Sequence, residues 1–107
     1  MKSVEIIWTE SALNDLNTII DFISPFSVSI AEQIAFRILF RTNQLSKLPK
    51  SGQIEPLLKN MKYEYRYLIE GHSKIIYRSE NSKIFIERIF DTRQNPIKLK
   101  DKIYKKK

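Results

Sequence analysis

Few residues of this 107-residue chain are of the types that enzymes use to make or break bonds. There is no cysteine, which excludes a thiolate nucleophile and a thiolate metal site. The only histidine, His72, lies in a predicted turn without a nearby nucleophile. The sequence contains no Gly-rich phosphate loop, no nucleophile elbow and no metal-ligand cluster. We therefore expect neither a metal nor a cofactor.

One reaction remains possible with the side chains present, the cleavage of RNA by attack of its own 2′-hydroxyl group. That reaction needs a base, an acid and positive charge around the phosphate. Glu55 is the candidate base, and Lys74 and Arg93, together with Arg66, are candidates for holding the phosphate. The acid is harder to assign, because an unperturbed lysine or tyrosine has a pKa of about 10. Lys74 could serve only if neighbouring cations lower its pKa.

The first half of the chain must supply a strand and two helices. Residues 3–8 (SVEIIW) are rich in β-branched and aromatic residues, which is typical of a strand. Thr9 can cap the amphipathic helix that follows, and Pro25 interrupts that helix. A second helix begins at Ser27 or at Ser29, where the latter matches a capping box.

Phe36 and Phe40 lie off the main apolar stripe of the second helix. This placement predicts that the helix contacts something on a second face. The two rings could belong to the core or to a partner site.

The second half predicts three strands behind a connecting loop. The loop covers residues 53–62, which have no clear period, and the strands cover 63–69, 73–79 and 83–91. Short three-residue turns at 70–72 and 80–82 join these strands, so we expect an antiparallel meander.

These elements predict one α+β domain over residues 1–107, with a helical hairpin packed on one face of the sheet. Ile97, Leu99 and Ile103 are spaced for a short final helix or a docked tail. No apolar run is long enough to cross a bilayer, and the apolar stretch at the N-terminus is too short for a signal peptide. The expected compartment is therefore the cytoplasm.

The positive charge is concentrated in the second half. Residues 1–46 hold three Lys/Arg against five Asp/Glu, whereas residues 47–107 hold sixteen against seven. The imbalance predicts a polyanion or an acidic protein as partner. The lysine-rich tail 98–107, including Lys98 and Lys100, could extend this surface or could only keep the domain soluble.

Strand alternation predicts where the cations of the meander point. If the helices cover Tyr67, Ile75 and Tyr77, then Arg66, Lys74 and Arg78 line the open face, with Arg93 at its edge. Such a face suits phosphate binding. The alternative is a solvated face whose cations pair with Glu64, Glu80 and Glu87.

The ordered motifs resemble the RelE/ParE superfamily, the toxins of type II toxin–antitoxin systems. The resemblance covers residues 4 to about 99 and rests on EIIWTESALNDLNTIIDFI, the helix after SPFSVSIA, LPKSG, YRYLIEGHSKIIYR and IFIERIFDTRQNP. It implies a curved antiparallel sheet with a two-helix hairpin ahead of it. It also implies a cognate antitoxin as partner, an acidic amphipathic segment of which would contact Phe36, Phe40 and Leu99.

The resemblance also bears on the candidate site. GQIEPLLKN is similar to the loop that carries a catalytic glutamate in YoeB-like nucleases, which corresponds to Glu55. SKIIY is similar to the strand of their catalytic arginine, a position that Lys74 occupies here without the bidentate fork. Their catalytic histidine and tyrosine follow the last strand, where this chain has Asp91-Thr92-Arg93-Gln94.

Three functions follow from the resemblance. RelE-like members cut messenger RNA on the ribosome, and ParE-like members poison DNA gyrase by binding. Gyrase binding is our leading expectation, with Arg66, Arg78, Lys98 and Lys100 as target contacts. The alternatives are mRNA cleavage through Glu55, Lys74 and Arg93, and a non-toxic member that only binds its antitoxin. Operator DNA would be contacted only through the antitoxin complex.

Overall fold

A strand, a helical hairpin and four further strands follow one another along the chain. The computed structural model describes residues 4–93 and residue 103. The elements are β1 (Glu5–Trp8), α1 (Glu10–Ile23), α2 (Val28–Gln44), β2 (Gln53–Ile54), a 3-10 turn (Pro56–Leu58), β3 (Tyr65–Glu70), β4 (Ser73–Glu80) and β5 (Lys83–Asp91). The sheet has the order β1-β5-β4-β3-β2, with β1 parallel to β5 and all other pairs antiparallel. The predicted α+β fold is confirmed.

The two helices begin where a side-chain oxygen accepts an early backbone N–H. The Thr9 hydroxyl oxygen accepts the N–H of Ala12 at 3.1 Å, as predicted. Ser27 rather than Ser29 caps α2, because its hydroxyl accepts the N–H of Ile30 at 3.1 Å. No helix among the described residues is long and apolar enough to cross a membrane.

Apolar side chains pack on both faces of the sheet. The larger cluster lies between the helices and the sheet and includes Ala12, Leu16, Ile38, Leu45, Leu68, Ile75, Tyr77, Ile84, Ile86 and Ile89. The smaller cluster lies on the opposite face and comprises Leu58, Tyr65, Ile76, Phe90 and Ile103. The predicted final helix or tail lies outside the described residues except for Ile103, which is helical and buried.

The register of β3 against β4 corrects the predicted faces of the sheet. Tyr67 pairs with Ile76, and Arg66 pairs with Tyr77, so Arg66 lies on the helix-covered side and Tyr67 on the opposite side. The prediction was wrong because it assigned three residues to the turn, whereas Glu70 pairs directly with Ser73 and only two residues intervene. A one-residue change in register exchanges the two faces of a strand.

The segment 53–62 also contains more regular secondary structure than predicted. It contains β2, which pairs with β3 through Gln53 and Ile54, and the 3-10 turn that follows. A strand of two residues has no period that a sequence pattern can reveal. This segment positions Glu55 and therefore the candidate site.

A buried tyrosine holds the chain between α2 and β2. The Tyr77 hydroxyl accepts the N–H of Gly52 at 2.9 Å and donates to the carbonyl of Pro49 at 3.0 Å. Burial raises the pKa of Tyr77, so the hydroxyl remains protonated and able to donate. A Cβ atom at Gly52 would lie only 2.5 Å from that hydroxyl oxygen, which explains the glycine. Arg66 adds a hydrogen bond to the carbonyl of Gly52 at 2.8 Å.

Asp15 of α1 covers the part of β5 that extends beyond β1. One carboxylate oxygen accepts the N–H of Ile89 at 2.9 Å, and the carboxylate accepts two hydrogen bonds from Arg88 at 2.8 and 2.7 Å. A strand edge with unpaired N–H groups is otherwise a site for unwanted pairing. The ion pair thus joins the hairpin to the sheet and protects that edge.

We expect Asp15→Ala to lower the free energy of unfolding by about 2–4 kcal/mol, since it leaves Arg88 and the N–H of Ile89 without their partner. Chemical denaturation measures the effect. Asp21→Ala, an exposed carboxylate on the same helix, is the matched control and should change stability by less than about 0.5 kcal/mol. Equal losses in both variants would contradict a specific role for Asp15.

We expect Tyr77→Phe to lower the free energy of unfolding by about 1–3 kcal/mol, because the buried N–H of Gly52 loses its acceptor. Tyr67→Phe removes a hydroxyl that only donates to the exposed side chain of Gln53 and should cost less. Hydrogen exchange at the amide of Gly52 would show whether the loss is local. Unchanged protection of that amide in Tyr77→Phe would refute the assignment.

Candidate functional site

Glu55 and Lys74 meet on the face of the sheet opposite the helices, which brings two of the three candidate catalytic residues together. The Lys74 ammonium forms a salt bridge with Oε1 of Glu55. Oε2 accepts the N–H of Leu57 at 3.0 Å and so caps the 3-10 turn. The side chain of Glu55 is 0% exposed, and that of Lys74 is 19% exposed.

The backbone explains why this carboxylate is buried. The N–H of Glu55 donates to the carbonyl of Tyr65 at 2.8 Å, which turns the chain over the sheet immediately after β2. The Lys74 ammonium lies 4.3 Å from the ring centroid of Tyr67 and is therefore held between an aromatic face and the carboxylate. The sequence analysis did not place Tyr67 here, because the predicted register put it on the other face.

Arg78 contacts two carboxylates and two aromatic rings of the protein itself. Its Nε donates to Oε2 of Glu87 at 2.6 Å, and its Nη1 forms a salt bridge with Glu80. Its guanidinium carbon lies 4.2 Å from the ring centroid of Tyr63 and 4.4 Å from that of Phe85. Burial acts to lower the pKa of Arg78, but the hydrogen bonds to the two carboxylates outweigh it and raise the pKa.

Arg66 does not join Lys74, since it lies on the helix-covered side of the sheet. Its guanidinium donates to the carbonyl of Gly52 and lies 3.3 Å from the carboxylate of Glu64. The pairing of Arg66 and Arg78 with carboxylates is the alternative that the sequence left open. The structure therefore does not form the predicted open row of three cations.

Arg93 lies in a different place from Glu55 and Lys74. It lines a cavity of about 240 Å³ on the helix side, with Ile19 and Ile23 among the other lining residues. Its Nε and Nη2 donate to the two carboxylate oxygens of Asp91 at 3.0 and 2.8 Å, and its backbone N–H donates to the same carboxylate at 2.8 Å. The Asp-Thr-Arg spacing is the sequence signal that could have predicted this turn.

Two pairs of phenylalanines project from the helical hairpin. Phe36 and Phe40 are 68% and 57% exposed, and their stacked rings lie 6.3 Å apart. Their exposure excludes the core alternative in the described structure. Phe22 and Phe26 form a second exposed pair at 6.4 Å, which the sequence analysis did not single out. Exposed aromatic clusters of this kind mark interaction surfaces.

Lys98, Leu99 and Lys100 lie outside the described residues. Within residues 4–93 and residue 103, no three His, Cys, Asp or Glu side chains lie close enough together to hold a metal ion.

We expect Arg93→Ala to raise the pKa of Asp91 toward the usual value for an aspartate, because the hydrogen bond from Arg93 is the main cause that lowers it. A lowered pKa adds stability above the unfolded-state pKa, and this stability is lost as the pH falls through the folded-state pKa. Arg93→Ala should therefore weaken the acid dependence of unfolding. Carboxyl NMR titration measures the pKa, and Arg93→Lys, which keeps the charge, should give an intermediate value.

Three similarities to known proteins agree with this architecture. A family model described as "ParE toxin of type II toxin-antitoxin system, parDE" matches residues 6–96. A chain from the chromosomal ParDE toxin–antitoxin system of P. aeruginosa has the same fold, with a TM-score of 0.70 over 85% of this chain and 98% of that chain, at 21% identity. The curated protein Toxin RelE2 of Caulobacter vibrioides is 34% identical over 50 residues.

The RelE2 alignment spans 47% of this chain and 57% of that relative's length, so it covers only part of each protein. The family match, in contrast, runs from within β1 to residues beyond β5 and covers most of the chain. The chain therefore belongs to the ParE toxin family of type II toxin–antitoxin systems.

Proposed function

We propose that this protein arrests growth by binding DNA gyrase, without bond chemistry of its own, and that its cognate antitoxin neutralises it in the cytoplasm. ParE-like members of the superfamily are expected to act in this way. The observation that carries the proposal is that Glu55 is buried and that the candidate cations, each paired with a carboxylate, do not lie together.

The candidate base is enclosed. A general base must come within hydrogen-bond reach of the proton that it abstracts. Glu55 has no exposed side-chain surface, and the Lys74 ammonium covers Oε1 while Oε2 binds the backbone of Leu57. An RNA hydroxyl would have to displace Lys74 to reach the carboxylate. This arrangement favours a structural role for the pair.

The three candidate phosphate-binding side chains, Lys74, Arg66 and Arg93, do not lie together. Lys74 lies on the face opposite the helices, whereas Arg66 and Arg93 lie on the helix side and each has a carboxylate partner. A phosphoryl transition state needs cations arranged around one point. These three side chains do not converge on one point, which supports binding over cleavage.

Ribosome-dependent mRNA cleavage is the second candidate function. It is favoured by the contact between Glu55 and Lys74 and by the 34% sequence identity over 50 residues to a protein named Toxin RelE2. In that case Glu55, Lys74 and Arg93 would act as the catalytic residues after a rearrangement that exposes the carboxylate.

We further propose that the antitoxin covers the helical hairpin. Phe36 and Phe40 present adjacent exposed rings on α2, and an amphipathic segment would remove this apolar surface from water. Leu99 remains a proposed contact outside the described residues. A family member that is not toxic would still use this surface.

The deciding experiment expresses the chain without its antitoxin and follows DNA supercoiling and mRNA 5′ ends in parallel. We expect loss of supercoiling or induced DNA breaks with intact mRNA. New codon-linked 5′ ends with normal supercoiling would instead establish the nuclease. Absence of growth arrest would point to a member that only binds its antitoxin.

A paired substitution separates the two mechanisms further. Glu55→Gln combined with Lys74→Met removes both buried charges together, so neither partner is left buried alone. If the protein acts by binding, we expect this variant to arrest growth within about threefold of the parent's potency. A nuclease that uses Glu55 would lose about 100-fold or more of its activity. Circular dichroism and thermal unfolding confirm that the variant is folded.

A further inference from the structure

The segment that covers Glu55 presents only positive charge to solvent. Residues 47–62 contain four lysines and a single acid, Glu55. Lys47, Lys50, Lys59 and Lys62 are all exposed, whereas Glu55 is buried and neutralised by Lys74. The acid therefore does not reduce the positive potential outside the segment.

Part of this segment forms a basic cleft of about 390 Å³, which we define by Ile54, Leu58, Lys59, Met61, Lys62 and Tyr63. Ile54, with 51% of its surface exposed, and the partly buried Met61 provide the accessible apolar surface, whereas Leu58 is buried in the smaller core cluster. Glu64 is also at the rim, but it lies 3.3 Å from Arg66. Lys59 and Lys62 thus flank an accessible apolar surface.

The aromatic rings in this cleft are not open platforms for nucleic-acid bases. The Tyr63 ring lies under the guanidinium of Arg78 at 4.2 Å and near the ammonium of Lys62 at 5.3 Å. Tyr65 is buried and packs edge-on against Tyr63. Single-stranded nucleic acid is bound by stacking bases on open rings. An aliphatic surface with a lysine rim is better suited to an acidic protein segment that carries an apolar side chain.

The cleft is held in place before any partner arrives. The Tyr77 hydroxyl forms hydrogen bonds with the backbone of Pro49 and Gly52. The backbone N–H of Glu55 donates to the carbonyl of Tyr65, and the Glu55 carboxylate forms a salt bridge with Lys74. A preformed surface loses less conformational entropy on binding than a flexible loop. A second copy of this chain is a poor occupant of the cleft. Each copy carries a formal net charge of +7, so the two copies would repel each other.

We infer that the basic cleft is a docking site for an acidic segment of the cognate antitoxin. An aliphatic side chain of that segment would lie on Met61 and Ile54, and its carboxylates would pair with Lys59 and Lys62. The inference rests on the toxin–antitoxin partnership within the proposed function and does not depend on whether gyrase is the target. It adds a contact surface distinct from the phenylalanines of the hairpin.

The test measures the dissociation constant of the purified toxin and antitoxin by calorimetry at low and high salt. Lys62→Glu should weaken binding about tenfold or more at low salt and less at high salt, because like charges would then face each other. Lys83→Glu is the matched control. It makes the same charge change at an exposed position of β5, two strands away from β3, and should alter affinity by less than about twofold.

Ile54→Ser tests the apolar half of the site without changing charge, and we expect it to weaken binding about fivefold to tenfold at both salt concentrations. Thermal unfolding establishes that each variant is folded. Unchanged affinity in both Lys62→Glu and Ile54→Ser would overturn the inference, as would an equal loss in Lys83→Glu.

Growth arrest without antitoxin separates this inference from the proposed function. If the variants lose growth arrest but bind antitoxin normally, the cleft contacts the target and the inference is wrong. If they bind antitoxin weakly but arrest growth as the parent does, the cleft is an antitoxin site. A parent protein that leaves supercoiling unchanged would refute the gyrase proposal without affecting the antitoxin measurements.

Discussion

The buried ion pair between Glu55 and Lys74 is the interaction that holds the segment between α2 and β3 against the sheet. It joins the segment after α2 to β4, the central strand of the sheet. Both groups have lost most of their water, so removing either one would leave an uncompensated charge in the interior. Because the pair fixes the segment with its carboxylate inward, the lysines of that segment face solvent. The same contact covers the carboxylate, whose side chain has no exposed surface.

The arginines and the exposed lysines of this protein make different contacts. Arg78 and Arg88 each donate hydrogen bonds to carboxylates, and Arg66 and Arg93 also have carboxylate partners. A planar guanidinium provides several fixed donors and is suited to such internal pairing. Exposed lysines such as Lys62 carry a mobile point charge at the surface. The charge of these four arginines is therefore paired with carboxylates, whereas the lysines of residues 47–62 present their charge to solvent.

Most of the fold could be predicted because its signals are local. The cap at Thr9 depends on a hydroxyl and a backbone N–H only three residues apart. The strands of the meander were predicted within two residues of their observed ends, since their apolar alternation is strong. The two-residue strand β2 was missed because it has no alternation. The faces of β3 were reversed by a single residue in the turn before Ser73, since register is a relation between two strands.

The sequence by itself determined the order of the two helices and the four longer strands, the resemblance to a toxin family and the concentration of positive charge after residue 46. Only the tertiary structure decided which charged residues meet. Arg88 and Asp15 are 73 residues apart, and Tyr77 and Gly52 are 25 residues apart, so no local pattern relates them. The same holds for Glu55, which pairs with Lys74 and not with Arg93. Long-range pairing is set by strand register and by the burial of charge, which are properties of the packed sheet.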